Sequence, residues 1–275
     1  MIGGNPNDGR PGRRPVALVT GASGGIGADL ARELAKDGHD LVLAARSLAP
    51  MHALATELAG FGATSTVIGA DLSLVGAAQE LASELERRGI EIEVLINNAG
   101  LGAFGRFERS DPARTAEMLQ VNIVALTELS RLLLPGMVAR RRGQIMLVGS
   151  VASFQPGPRM AVYFATKAFV LSLGEALSYE LRGTGVTVTT LCPGGTATRF
   201  FDVAGAHARS RTGLHGLMSS AEVAEQGYRA LKAGRRVLVT GTVNRMLAIL
   251  GRVAPRSIAL PITAMLMPRD EMTGR

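Results

Sequence analysis

The chain has 275 residues, 47% hydrophobic and 19% charged, which excludes a disordered chain and suffices for one large α/β domain. Its single cysteine, Cys192, cannot form an internal disulfide, and its place between an apolar strand pattern and Pro193 marks a buried small hydrophobe. The net charge of +7 is lopsided, since nine of the 30 basic residues but two of the 23 acidic ones lie from Arg229 onward. That distribution describes a basic appendage on a neutral domain and argues against a nucleic-acid-binding fold.

Met1 to Arg14 is rich in Gly, Pro, Asn and Arg with no apolar run. It is expected to be a disordered arm, neither signal peptide nor membrane segment, which points to the cytoplasm. Short β-rich runs then alternate with helical patterns. Strands are predicted at 16–20, 40–45, 65–69, 93–96, 144–148, 186–191 and 237–239. Helices are predicted at 26–37, 51–59, 74–88, 113–140 and 160–182. Near-continuous Val/Ile/Leu strands separated by helices specify a parallel sheet covered on both faces. The expected architecture is a single doubly wound Rossmann-type α/β domain of about seven strands over residues 15–241, with a basic amphipathic extension over 242–275.

Directly after the first strand comes Thr20-Gly21-Ala22-Ser23-Gly24-Gly25-Ile26-Gly27. Glycines permit a tight turn and close approach of a pyrophosphate, and the following helix offers its N-terminal amides. Gly21, Ser23, Gly24, Gly25, Ile26 and Gly27 are therefore candidate cofactor contacts. At the end of the second strand, Ala44-Ala45-Arg46-Ser47 has no carboxylate for a ribose 2′-hydroxyl, but an arginine suited to a 2′-phosphate. NADP(H) is expected over NAD(H).

Tyr163 and Lys167 stand four apart on a predicted helix, thirteen residues after Ser150, in a chain with only three tyrosines. Positions i and i+4 share a helix face, and a cation beside a phenol is expected to draw its pKa down toward working pH.

Together with Asp71-Leu72, Asn97-Asn98-Ala99-Gly100, Asn122, Ser150 and Pro193-Gly194, these residues resemble the short-chain dehydrogenase/reductase family, from Val16 to about Val239. The resemblance implies carbonyl–alcohol interconversion by hydride transfer. Tyr163 would be the general acid/base and Ser150 would hold the substrate oxygen. Lys167 would tune Tyr163 and bind the nicotinamide ribose, and Asn122 would anchor a water. It also implies that Asp71 and Leu72 meet the adenine, that Asn98, Ala99 and Gly100 line the ribose, and that Asn97 fixes backbone between strands. Pro193, Gly194, Thr196 and Thr198 would border the nicotinamide and phosphates. Asp71 also reads as a helix N-cap before Leu74. Gly195 departs from the family pattern, which has a bulkier residue or a proline there.

The stretch from Arg199 to Met218 occupies the family's substrate-lid position, and Phe154 and Met160 are expected to add apolar walls. A hydrophobic substrate follows, and the four histidines show no metal-ligand spacing. In the extension, Pro255 and Pro261 exclude one spanning helix. Its mixed apolar and arginine residues fit a weak contact with an anionic membrane surface, a cover over the pocket, or packing on another subunit, the packing readings being preferred. A homo-oligomer is the family's habit. The alternative to an enzyme is a non-catalytic NADP-binding redox sensor or scaffold, whose mark would be a broken Ser/Tyr/Lys set.

Overall fold

The computed structural model describes residues 14–198, 200, 204 and 217–266. Seven parallel strands form one sheet: β1 Val16–Thr20, β2 Asp40–Ala45, β3 Ser65–Gly69, β4 Val94–Asn97, β5 Gly143–Val148, β6 Val186–Cys192 and β9 Val237–Val239. Their order is β3-β2-β1-β4-β5-β6-β9. A separate short parallel pair joins β7 Thr196–Ala197 to β8 Met218–Ser219. The chain leaves β1 toward β2 and β3, then returns to place β4 on β1's other side. That reversal opens a crevice at the carboxyl ends of β1 and β4.

Alternate residues of each central strand feed opposite faces. Ala17 and Val19 pack in one core with Leu30 and Leu34 of α1 (Gly25–Lys36), Met51 and Leu58 of α2 (Leu48–Ala59), and Leu231 of α7 (Ser220–Lys232). Leu18 packs in the other with Leu81 and Leu85 of α3 (Ala77–Arg87), Leu129 of α5 (Leu126–Ala139) and Val170 of α6 (Ala161–Glu180). Burying each such Leu or Val contributes roughly 1.5–3 kcal/mol. The sheet is fixed from both sides.

The predicted strands match within a residue or two. The 113–140 helix is a 28-residue helical run, Pro112–Ala139, made of α4 (Pro112–Leu119), a π-turn at Gln120–Ala125 and α5. It is long and apolar enough to cross a bilayer, but Met118, Val121, Leu126 and Leu129 are buried in the second core. The helix predicted from Leu74 starts at Ala77, because Gly76 precedes it at φ 85°. Asp71 is thus not its N-cap. Instead its carboxylate accepts from Ser73 N at 3.1 Å and Ser73 Oγ at 2.6 Å in a local turn.

α7 lies outside the predicted helices, yet it begins on a capping box in which Ser219 and Glu222 bond each other's backbone. It packs against α1, and Tyr228 Oη donates to Asp37 at 2.5 Å across that contact. Of the expected N-terminal arm only Arg14 lies within the described residues, and it is fixed. Its guanidinium donates to the carbonyls of Gly38, Gly62 and Ala35 at 3.0, 2.6 and 3.3 Å, tying the turn after α1 to the turn after α2. The extension forms α8 (Thr242–Val253) and α9 (Arg256–Leu266), broken at Pro255.

α6 crosses β6 so closely at Gly174 that an added methyl would overlap the hydroxyl of Thr190. Gly174→Ala should therefore destabilise the fold by about 1–3 kcal/mol through overpacking, read as a lower urea midpoint at unchanged slope.

Candidate active site

The crevice is a cleft of about 830 Å³. One wall is the glycine loop, and the side chains of Thr20 and Asn98 fasten it to the end of β4. Thr20 Oγ1, buried at the end of β1, donates to Ile96 O at 3.2 Å and accepts from the amides of Asn98 and Ala99, both at 3.1 Å. Asn98 Nδ2 returns to Thr20 O and Gly21 O at 3.0 and 3.2 Å. The loop and the end of β4 are one stitched unit. Gly21 sits at φ 67°, and a Cβ there would come within 2.9 Å of Ala99 Cα. At Gly27 a Cβ would stand 2.6 Å from Gly21 O, so both positions exclude every side chain.

Arg46 and Asp71 stand at the far end of the cleft, where β2 and β3 finish. The Ser73 hydrogen bonds, with a smaller pull from the Arg46 charge, hold the Asp71 carboxyl below its usual range. At the inner end, Ser150 follows β5 and caps a 3₁₀ turn, Val151–Phe154, its Oγ accepting from Ala152 N at 3.1 Å. Ser153 Oγ accepts from Ser150 N at 3.2 Å and donates to Lys167 O at 2.7 Å, fastening the serine turn to α6. Lys167 Nζ donates to Val148 O at 2.8 Å and lies 5.8 Å from the centre of the Tyr163 ring.

Burial governs the electrostatics here. It pushes the Tyr163 phenol up to about 12, against the opposing effect of a hydrogen bond with Ser150. The lowering expected from Lys167 is not seen: burial dominates, and the ammonium, 5.8 Å from the ring centre, donates to the Val148 carbonyl. Burial likewise brings the Lys167 ammonium down to about 8 and the Cys192 thiol up to about 12. Cys192 is a buried free thiol, as its sequence setting implies.

Asn122 sits in the π-turn. Its side chain pairs with Leu101 in both directions, at 2.8 and 2.9 Å, and Nδ2 also donates to Thr166 Oγ1 at 3.0 Å. A Cβ on Gly100 would lie 3.4 Å from Lys167 Nζ and 3.5 Å from Asn122 Oδ1, so this glycine stands beside both polar groups. Thr196 Oγ1 donates to Gly194 O at 3.0 Å. Thr198 reaches across the cleft, its methyl 2.9 Å from where a Cβ of Gly25 would stand.

The structure brings Gly21, Ser23, Gly24, Gly25, Ile26, Arg46, Asp71, Leu72, Asn98, Ala99, Gly100, Ser150, Tyr163, Lys167, Pro193, Gly194, Thr196 and Thr198 to the cleft lining. Gly27 lies beneath the loop and Asn122 behind the inner end. Asn97 does not bridge strands; its amide donates to Ser130 Oγ of α5 at 2.9 Å. Met160 is a cleft wall as expected, whereas Phe154 is not, lying instead under the Arg252 guanidinium at 5.7 Å. Of the presumed lid, Arg199, Phe201, His207, Arg209, Arg211 and His215 lie outside the described residues.

Sequence reasoning missed Leu101, Gly102 and Phe164 as lining residues and Ser153 as a fastener. Gly102 faces the Phe200 ring, whose Cζ would be 2.5 Å from a Cβ there, and that ring lies 5.3 Å from the Tyr163 ring. The only sequence signal for this was a second glycine after Asn-Asn-Ala-Gly.

Comparison with known proteins agrees with this geometry. The family model for short chain dehydrogenase matches residues 15–208. The chain belongs to that family and is an oxidoreductase of its type. It is 29% identical over 252 residues to the ketoacyl reductase HetN of a Nostoc species, covering 88% of this chain and 86% of that one. A short-chain dehydrogenase from Sphingobium yanoikuyae, solved in complex with NADPH, superposes with a TM-score of 0.78 at 32% identity, covering 93% and 99% of the two chains. A bulky-bulky ketone specific alcohol dehydrogenase from Comamonas testosteroni gives 0.74 at 32% identity, covering 90% and 91%.

The buried ammonium makes a testable mark on stability. Between about 8 and 10.5 the unfolded chain carries the Lys167 proton and the folded chain does not, so this group's contribution to stability rises with pH across that window. Lys167→Met should be more stable than the parent below the window, with the advantage shrinking as pH climbs through it. Urea unfolding across that range reads the gap; a constant gap would contradict a depressed lysine.

Proposed function

We propose that the protein is an NADP(H)-dependent oxidoreductase that interconverts a carbonyl and an alcohol on an apolar substrate. One observation carries the reading: the Ser150, Tyr163 and Lys167 side chains converge at the inner end of a cleft whose outer end holds a glycine cradle and Arg46. The cradle fits a pyrophosphate, since Gly21, Gly24 and Gly25 line the cleft beside the N-terminus of α1. Arg46 suits a 2′-phosphate, and no carboxylate follows it at the strand end to repel one. The NADPH held by the Sphingobium relative supports this choice.

A nicotinamide held by these residues would supply or accept the hydride. Ser150 Oγ and Tyr163 Oη hold the substrate oxygen and stabilise the negative charge that develops on it. A phenol at about 12 is protonated at neutral pH, so Tyr163 is set to donate its proton in the reducing direction. Lys167 lies 5.8 Å from the ring centre, and a water between it and Asn122 would return the proton. Leu101, Val151, Met160, Phe164 and Phe200 give the substrate side an apolar wall, consistent with a bulky ketone or an acyl chain. The ketoacyl reductase and bulky-ketone dehydrogenase relatives lean the same way.

Tyr163→Phe should leave NADPH binding intact while turnover falls by about a hundredfold or more. The assay is loss of reduced-nicotinamide absorbance with ketones, aldehydes and 3-ketoacyl thioesters. Full activity in the variant would overturn the proton-donor assignment. Arg46→Ala should weaken NADPH by roughly tenfold or more and NADH little, by fluorescence titration, since it removes a charge-assisted contact only NADPH makes. Equal losses for both would refute the 2′-phosphate role.

A further inference from the structure

α8 is built inside out. Its protein-facing stripe is Asn244, Ala248 and Gly251, spaced at i, i+4 and i+7, and only Ala248 is fully buried. Asn244 presses on Gly194, with Cγ 2.6 Å from where a Cβ would stand, and Gly251 abuts Phe154 O. The opposite face carries Met246, Ile249, Leu250 and Val253, all exposed, with Val253 at 71%. α9 repeats the arrangement. Ala259 and Thr263 are buried, while Ile258, Ile262 and Met265 face outward, Met265 at 82%. Two successive helices thus turn small residues inward and large apolar ones to solvent, the reverse of what burial favours in an isolated soluble domain.

The charge on these two helices is of one sign. They hold Arg245, Arg252 and Arg256 and no Asp or Glu, whereas Arg229, Lys232 and Arg236 of the preceding segment are paired with Glu225, Asp37 and Glu175. Arg245 and Arg256 are exposed and form no ion pair with a described residue, while Arg252 is drawn back to Glu175 at 2.9 Å. None of the large outward residues lines the cleft, so the face is not a pocket cover. A twofold contact between copies would set arginine against arginine with no acid on either segment to relieve it. An apolar face flanked only by arginine is complementary to anionic lipid, where side chains enter the acyl boundary and guanidinium groups meet headgroup phosphates.

We propose that the outer face of α8 and α9 docks on the surface of an anionic lipid bilayer. Pro255 separates the helices, so both lie along the surface rather than crossing it. Because α8 touches Gly194 and the Phe154–Gln155 turn, docking sets the rim of the cleft beside the lipid, where an apolar substrate concentrates. This last point rests on the proposed carbonyl reaction, whereas docking itself does not.

The test is flotation of the full chain with phosphatidylcholine vesicles, with and without phosphatidylglycerol, at low and high salt. Binding is expected on the anionic vesicles and should weaken with salt. Arg245→Gln and Arg256→Gln should each lower the partition coefficient by roughly fivefold, from about 1 kcal/mol per basic residue. The double variant Ile249→Glu, Val253→Glu should abolish flotation while keeping the parent's NADPH affinity, which shows that it folds. No flotation by the parent, or equal flotation by parent and double variant, would overturn the proposal. So would a double variant that turns an oligomer into monomers when the parent does not float, since a second copy would then cover the face. Loss of turnover in Tyr163→Phe reports on the reaction alone and leaves this result untouched.

Discussion

A single ammonium group, buried at Lys167, constrains everything at the inner end of the cleft. A charge withdrawn from water needs a partner, and this one finds the Val148 carbonyl at 2.8 Å, where β5 ends. That bond locks α6 against the sheet at the point where Ser150 leaves it. The lysine's own carbonyl accepts from Ser153, so the turn that presents Ser150 is held by the same residue. With α6 fixed, Tyr163 one turn earlier has no freedom to leave the serine. The placing of Ser150 and Tyr163 therefore follows from how one buried cation finds its partner.

The outer end rests on a different economy. There a neutral hydroxyl, Thr20 Oγ1, joins three backbone groups and lets two strand ends approach as closely as glycine allows. No charge is buried in the loop, and Arg46 stands at the rim. One cleft thus has a rigid, desolvated end and an open, cationic end.

Much of this was legible in the sequence because the signals were local. Strands such as Val16–Thr20 and Asp40–Ala45 show as apolar runs, and the glycine loop and the Tyr163/Lys167 spacing depend on short-range geometry. What failed was set by neighbours distant in sequence. The direction of the Tyr163 shift depends on how much protein covers the ring. Phe154 was placed in the pocket by proximity to Ser150, but the returning α8 claims it from the other side. Arg14 reads as part of a loose arm, yet it is anchored by three carbonyls from two turns distant from it in sequence. The helix at Ser220–Lys232 carried a readable capping box, yet its small apolar face, Ala224, Gly227 and Ala230, gives weak periodicity.

The little parallel pair of β7 and β8 has a wider consequence. Thr196 pairs with Met218 and Ala197 with Ser219, so both ends of the intervening stretch are clamped at the cleft by backbone bonds. Between fixed ends, doubling the length of a connection costs only about 0.6 kcal/mol of closure entropy. The chain between Ala197 and Met218 can therefore gain or lose residues while the two ends keep their register.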